Sequence, residues 1–302
     1  MNTLSRYFSL FKISNKSSKK RKALRASGLL TASLVTTLIA IIESRLQQLT
    51  SPPRKNLQHK PEDVGLNYED CEVTTSNQKR ISGWFISPEQ NGKNRTKKVV
   101  ILSHGYGENR CSHKAILEMA KYFVENGVAC ILYDFENHGL IDGKKTSDDG
   151  MTTIGAKTEQ NDLNAVIDYA KKRDLTDIGL IGISMGAATS LQVAAERDDI
   201  QMVFADSSFT SLDTYLREQI SVWDHRIKPW MVQFLLKYTK YIKGVDVDNI
   251  RPIDAVQELG RRGVEVRFIH TKEDEVTPEC HSSELGEAYL AAYNQQHLEC
   301  FK

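Results

Sequence analysis

Ile178-Gly179-Leu180-Ile181-Gly182-Ile183-Ser184-Met185-Gly186-Ala187-Ala188 decides how this chain is read. The first half is a short apolar run of the kind that forms a buried strand. The second half opens a stretch of small and apolar residues, continued by Leu191, Val193 and Ala194, with the length of a helix. A serine at the junction, with glycine two positions before and two after, fits a strained strand-to-helix turn, because only minimal side chains let the crossing backbones approach. Such a turn holds the Ser184 hydroxyl clear of the chain, at a helix start whose dipole favours developing negative charge. In that setting the pattern predicts a nucleophile; a lone Gly-x-Ser-x-Gly would not.

On either side of this turn, short apolar runs alternate with longer amphipathic ones, the rhythm of a mostly parallel sheet with helices on both faces. Strands are expected at Val99–Ser103, Ala129–Tyr133, Ile178–Gly182, Met202–Ala205, Val264–Ile269 and His297–Phe301. Helices are expected near Lys114–Asn126, Gln160–Lys172, Met185–Glu196 and Ser282–Tyr293. Before them, Tyr68–Thr75 and Arg80–Ser87 flank a polar turn and predict an antiparallel hairpin. A long apolar segment between Ser211 and Lys243, with Trp223, Trp230, Met231 and Phe234, fits the rhythm poorly. It reads either as a small helical cap over a site or as a packing excursion.

Charge is balanced overall, with 40 Lys and Arg against 39 Asp and Glu, which argues against a nucleic-acid partner. Its placement is uneven. Lys12, Lys16, Lys19, Lys20, Arg21, Lys22 and Arg25 precede any acid, and an uncharged apolar stretch follows to Ile42. Residues 1–25 therefore read as a basic cytoplasmic tail and 26–44 as a short transmembrane signal-anchor, with the remainder outside the cytoplasm. A cleaved signal peptide or an organellar targeting segment are the alternatives. Ser51-Pro52-Pro53 opens a polar linker over 45–67, and the folded domain is expected over 68–302. The five cysteines show no paired or metal-like spacing and read as buried thiols.

Ser103-His104-Gly105-Tyr106-Gly107 follows the strand at Val99. Together with the serine turn and Tyr133-Asp134-Phe135-Glu136-Asn137-His138-Gly139, it resembles the serine hydrolases of the α/β-hydrolase fold, in particular a membrane-anchored, prolyl-aminopeptidase-like group. The resemblance covers about Tyr68 to the end. It implies cleavage of an acyl ester, thioester or amide of a small-molecule acyl or peptide substrate through a Ser184 acyl-enzyme, with no cofactor and no metal. By the same resemblance, the amides of Tyr106 and Met185 form the oxyanion hole, and Gly182, Gly186, His104 and Gly105 shape the turns. Glu136 departs from the arginine usual at its position. Asp134 and His138 are a tempting acid and base, yet they precede the serine and read as a hydrogen-bonded turn.

The resemblance places the acid at Asp274, in Phe268-Ile269-His270-Thr271-Lys272-Glu273-Asp274, where Thr271 replaces a glycine. Asp206, at the strand end after the serine helix, is the alternative acid. The base should follow the acid in the chain, and only His281 and His297 do so. His281 would open a helix and face solvent. His297 would start the last strand, and as base it requires a different strand register. The expected catalytic loop and final helix would lie beyond Lys302, so the chain reads as a truncated hydrolase or as a catalytically impaired pseudo-enzyme that at most binds.

Overall fold

The structure, a computed structural model, describes residues 33, 36–37, 39–88, 96–223 and 227–298. They form two compact units, one ending at Gln48 and one beginning at Leu49. A first helix, α1, covers 39–50. Among the described residues no helix is long and apolar enough to cross a membrane. Of the segment 26–44, read as a span, residues 26–32, 34–35 and 38 lie outside them.

The second unit is built on a sheet of β1 (Glu69–Thr74), β2 (Arg80–Ile86), β3 (Lys98–Ser103), β4 (Ala129–Tyr133), β7 (Asp177–Ile183), β8 (Ile200–Asp206) and β9 (Glu265–Ile269). A separate ribbon pairs β5 (Leu140–Ile141) with β6 (Lys144–Lys145). The spatial order of the large sheet is β1-β2-β4-β3-β7-β8-β9. Its first two pairings are antiparallel and the rest parallel. The helices are α2 (Lys114–Glu125), α3 (Lys157–Lys172), α4 (Met185–Glu196), α5 (Leu212–Trp223), α6 (Pro229–Lys243), α7 (Pro252–Arg262) and α8 (Cys280–Leu298).

Successive residues of a strand point to opposite faces, and this sorts the continuous apolar runs into two cores. Val99, Ile101, Ala129 and Ile131 pack with Leu163, Leu191 and Leu259. Their neighbours Val100, Leu102, Cys130 and Leu132 pack with Trp84 and with Leu117 of α2. A strand with no polar face is stable only when both faces are covered, as here. Each fully buried Leu or Ile contributes about 1.5–3 kcal/mol toward holding the layers together.

Three expectations change. The run at His297 is not the start of a strand. α8 continues through Leu298, because the helix propagates past Tyr293 and a short apolar run carries no period of its own; residues 299–302 lie outside the described residues. α7 went unassigned, although Pro252 opens it and Gly263 closes it in a left-handed conformation. Cys280, expected to be buried, is exposed at the first turn of α8, while Cys71, Cys111 and Cys130 are buried.

The polar stretch after Leu49 is tied to the rest of the second unit. The Leu57 amide donates to Leu140 O at 2.8 Å. The Arg54 guanidinium donates to His138 O, Ser147 Oγ and Asp148 O.

Candidate active site

Two chain crossings build the site. β7 ends at Ile183, and Ser184 takes φ 53° and ψ −113° before α4 begins. That is a left-handed conformation costly for a serine, and the surroundings hold it: the Ser184 amide donates to Asp206 O at 2.7 Å, and Ser184 O accepts from Ala188 N at 3.0 Å. The flanking glycines are required by space. A side chain on Gly182 would meet Gly186 O at 2.3 Å, and one on Gly186 would meet Ser103 O at 2.3 Å. The turn after β3 therefore lies directly against the serine turn. A Cβ on Gly105 would fall 3.6 Å from Ser184 Cβ.

Both crossings open into a cavity of about 330 Å³. It is lined by His104, Gly105, Tyr106, Ser184 and Met185, so five residues singled out from sequence share one space. Tyr106 donates its hydroxyl to Leu49 O at 2.8 Å, and burial pushes its phenol up to about 12. Met185 is buried as the first residue of α4.

His104 and His138 support the turn. Nδ1 of His104 lies 2.8 Å from Gly105 O, and its Nε2 accepts from the Phe135 amide. Nδ1 of His138 lies 2.9 Å from Glu136 O, and its Nε2 accepts from Gly107 N at 3.2 Å. Burial, with His104 alongside, pushes His138 down to about 3, and burial also lowers His104. Neutral rings of this kind brace backbone. Asp134 is fully buried and bound to Arg110, whose Nη2 lies 2.9 Å from Oδ2. Burial alone would raise this carboxyl, but Arg110 beside it and the hydrogen bond from Thr146 hold it below its usual value. Asp134 and His138 are thus structural, and Arg110, which has no sequence motif of its own, is the partner that explains Asp134.

The acid candidates lie at the ends of the next two strands. Asp206 closes β8, its carbonyl accepts from Ser184 and its carboxylate accepts from Ser207 Oγ. Asp274 accepts from the amides of Val276 and Thr277 through Oδ1. Val276 lines the cavity and Asp274 does not. The imidazole beside Asp274 is His270, 3.4 Å away, with Nδ1 engaged by Ser282 and Nε2 by Thr277 O.

His281 corrects an expectation. It was expected to face solvent, but it is 2% exposed, because α8 lays its first turn against the segment before α5. Its Nδ1 lies 3.0 Å from Thr210 Oγ1, and its Nε2 lies 3.3 Å from Glu218 without hydrogen-bond alignment. Burial lowers its pKa against the pull of Glu218. It does not line the cavity; Tyr215, whose ring lies 6.2 Å away, does. His297 is helical, at the end of α8, and its side chain is outside the described residues. Besides His104, His113 is the imidazole lining the cavity among the described residues, at the N-cap of α2 and exposed.

Sequence reading missed Ile154, Phe209, Tyr215 and Val276, which complete the wall. Phe209 and Tyr215 stack at 5.2 Å, so the first helix of the cap-like segment does reach the site. Ile154 has φ 56° and is held there by buried Glu159, which accepts from the amides of Thr153 and Gly155. No local signal announces it. Among the described residues no group of His, Cys, Asp and Glu is arranged to hold a metal ion.

The sheet order and the serine turn are those of an α/β-hydrolase fold. A Pyrococcus furiosus esterase superposes with a TM-score of 0.62 at 23% identity, covering 81% of this chain and 85% of its own. The α/β-hydrolase GrgF of Penicillium superposes at 0.53 and 17% identity, covering 74% and 86%. These identities speak to fold alone. Among curated proteins, the uncharacterized protein YqkD of Bacillus subtilis is 28% identical over 219 residues, 68% of this chain and 63% of YqkD. An acyl transferase of Photobacterium leiognathi is 32% identical over 130 residues, 43% of this chain and 38% of its own. The chain thus spans less than two thirds of the length of these relatives. A model of the X-Pro dipeptidyl-peptidase family, S15, matches residues 78–276, and the chain belongs to that family.

Proposed function

We propose that this protein is a serine hydrolase that cleaves an acyl ester, thioester or amide through an acyl-enzyme on Ser184. The observation that carries the reading is the strained serine between two space-limited glycines, opening into a cavity shared with Tyr106 and Met185. In this reading Ser184 Oγ bonds the acyl carbon as the bond to the leaving group breaks, and the serine proton passes to the leaving group. Water then releases the acid. The amides of Tyr106 and Met185 receive the anionic oxygen of the intermediate, a term worth about 2.7–4 kcal/mol per donor in comparable sites. Asp274 is the acid in this scheme and Asp206 its alternative. A base role for His297 requires its ring to reach Asp274. A fluorophosphonate probe tests the reading: labelling that vanishes in Ser184→Ala supports it, and folded wild-type protein that never labels refutes it.

A second reading is a catalytically impaired chain that at most binds ligand. It is favoured by His270, which is the imidazole at Asp274 and has both nitrogens engaged locally. The relative named as an acyl transferase supports a variant in which an alcohol, in place of water, accepts the acyl group. Product partition with added alcohol distinguishes the two. We further propose that 26–44 anchors the protein in a membrane with the hydrolase unit outside the cytoplasm. Release of intact protein by alkaline carbonate would refute the anchor.

A further inference from the structure

The cavity beside Ser184 is divided by chemistry. Apart from His104 and Ser184, its polar side chains come from one segment, Glu108, Asn109, Ser112 and His113, and most of the remaining wall is apolar. The two tyrosines do not change this balance: Tyr106 donates its hydroxyl to Leu49 O, and Tyr215 is hydrogen-bonded to Thr277.

Glu108 is the one carboxylate among the described lining residues. It is held by Lys55 Nζ at 2.5 Å and by Ser112, so its charge is already compensated. A dipeptide with a free amino terminus brings an ammonium, which is costly to bury unless a carboxylate or several carbonyls receive it. An apolar acyl chain asks only for an apolar wall, which Ile154, Phe209 and Val276 provide. The volume of about 330 Å³ sits near the lower end of small-molecule sites, which suits a short to medium chain.

We propose that this cavity takes the uncharged, apolar acyl group of a short- to medium-chain carboxylic ester or amide, and not a protonated amino-terminal dipeptide of the kind an X-Pro dipeptidyl-peptidase releases. The proposal rests on the reading of Ser184 as nucleophile for its chemistry, and on the cavity wall for its specificity. The two are tested separately. Calorimetric titration of the full chain carrying Ser184→Ala with octanamide and with glycyl-prolinamide reads specificity without turnover, and the octanamide should bind at least about tenfold more tightly. Val276 is 55% exposed, so Val276→Asp keeps the fold while placing a carboxylate at the wall. It should weaken octanamide and strengthen glycyl-prolinamide, each by about tenfold. Equal or tighter binding of the dipeptide amide to the Ser184→Ala chain, or titrations unchanged when Val276→Asp is added to it, overturns the proposal. Fluorophosphonate labelling reads the nucleophile: loss of labelling with the binding order intact sinks that reading and leaves the cavity assignment standing.

Discussion

The serine turn and the Asp274 loop both sit at the carboxyl edge of the sheet, and they are held by different kinds of contact. In the serine turn backbone meets backbone: Gly186 lies against Ser103 O, Gly182 against Gly186 O, and the Ser184 amide donates to Asp206 O. In the Asp274 loop side chain meets backbone: the carboxylate receives two amides, and His270 spans Ser282 and Thr277 O. Contact between backbones excludes every residue but glycine, so it leaves a mark in the sequence. A side-chain closure can be made by several residue types and says little about where the carboxylate points.

The comparison sharpens if variants near the serine turn cost more than variants in the loop. Arg110→Ala should cost most, about 3–5 kcal/mol in urea unfolding, since it leaves Asp134 charged and buried without its partner. Gly186→Ala should follow at about 3 kcal/mol, because the new methyl meets carbonyl oxygens that cannot step aside. Acid titration probes the same region. The folded protein keeps His138 neutral, with a pKa lowered from 6.5 to about 3, so the unfolded chain binds its proton first. The stability it contributes above pH 6.5 is therefore lost as the pH falls toward 3, with a slope of about 1.4 kcal/mol per pH unit for that one proton. The lowered Asp134 pKa acts in the same direction. His138→Gln should flatten the dependence measured by urea midpoints across pH. In the loop, Asp274→Ala should cost least, about 1 kcal/mol, from two unmade hydrogen bonds at a half-open site. A loss for Asp274→Ala exceeding that of Gly186→Ala would break the comparison.

The same contrast explains what could be read from the chain alone. The sheet, four of its helices and the serine turn follow from short-range patterns: β4 and α4 match the expected bounds, and β3, β7 and β9 agree within a residue. The part of the cavity wall made by Ile154, Phe209, Tyr215 and Val276 comes from three separate stretches whose approach depends on the whole fold. His281 illustrates the limit. Its burial is decided by Thr210, which is 71 positions away, and a helix start read locally looks exposed. The run at His297 failed for the opposite reason, since a few apolar residues fit a strand or the end of a helix equally.

Because Gly186 is wedged under the carbonyls of Ser103 and His104, the segments carrying Tyr106 and Met185 share a single seam although they follow different strands. Neither can swing without the other. In the proposed mechanism the gap between their amides is then set when the chain folds. In that scheme the oxygen that becomes anionic has to grow into this gap as the acyl carbon turns tetrahedral.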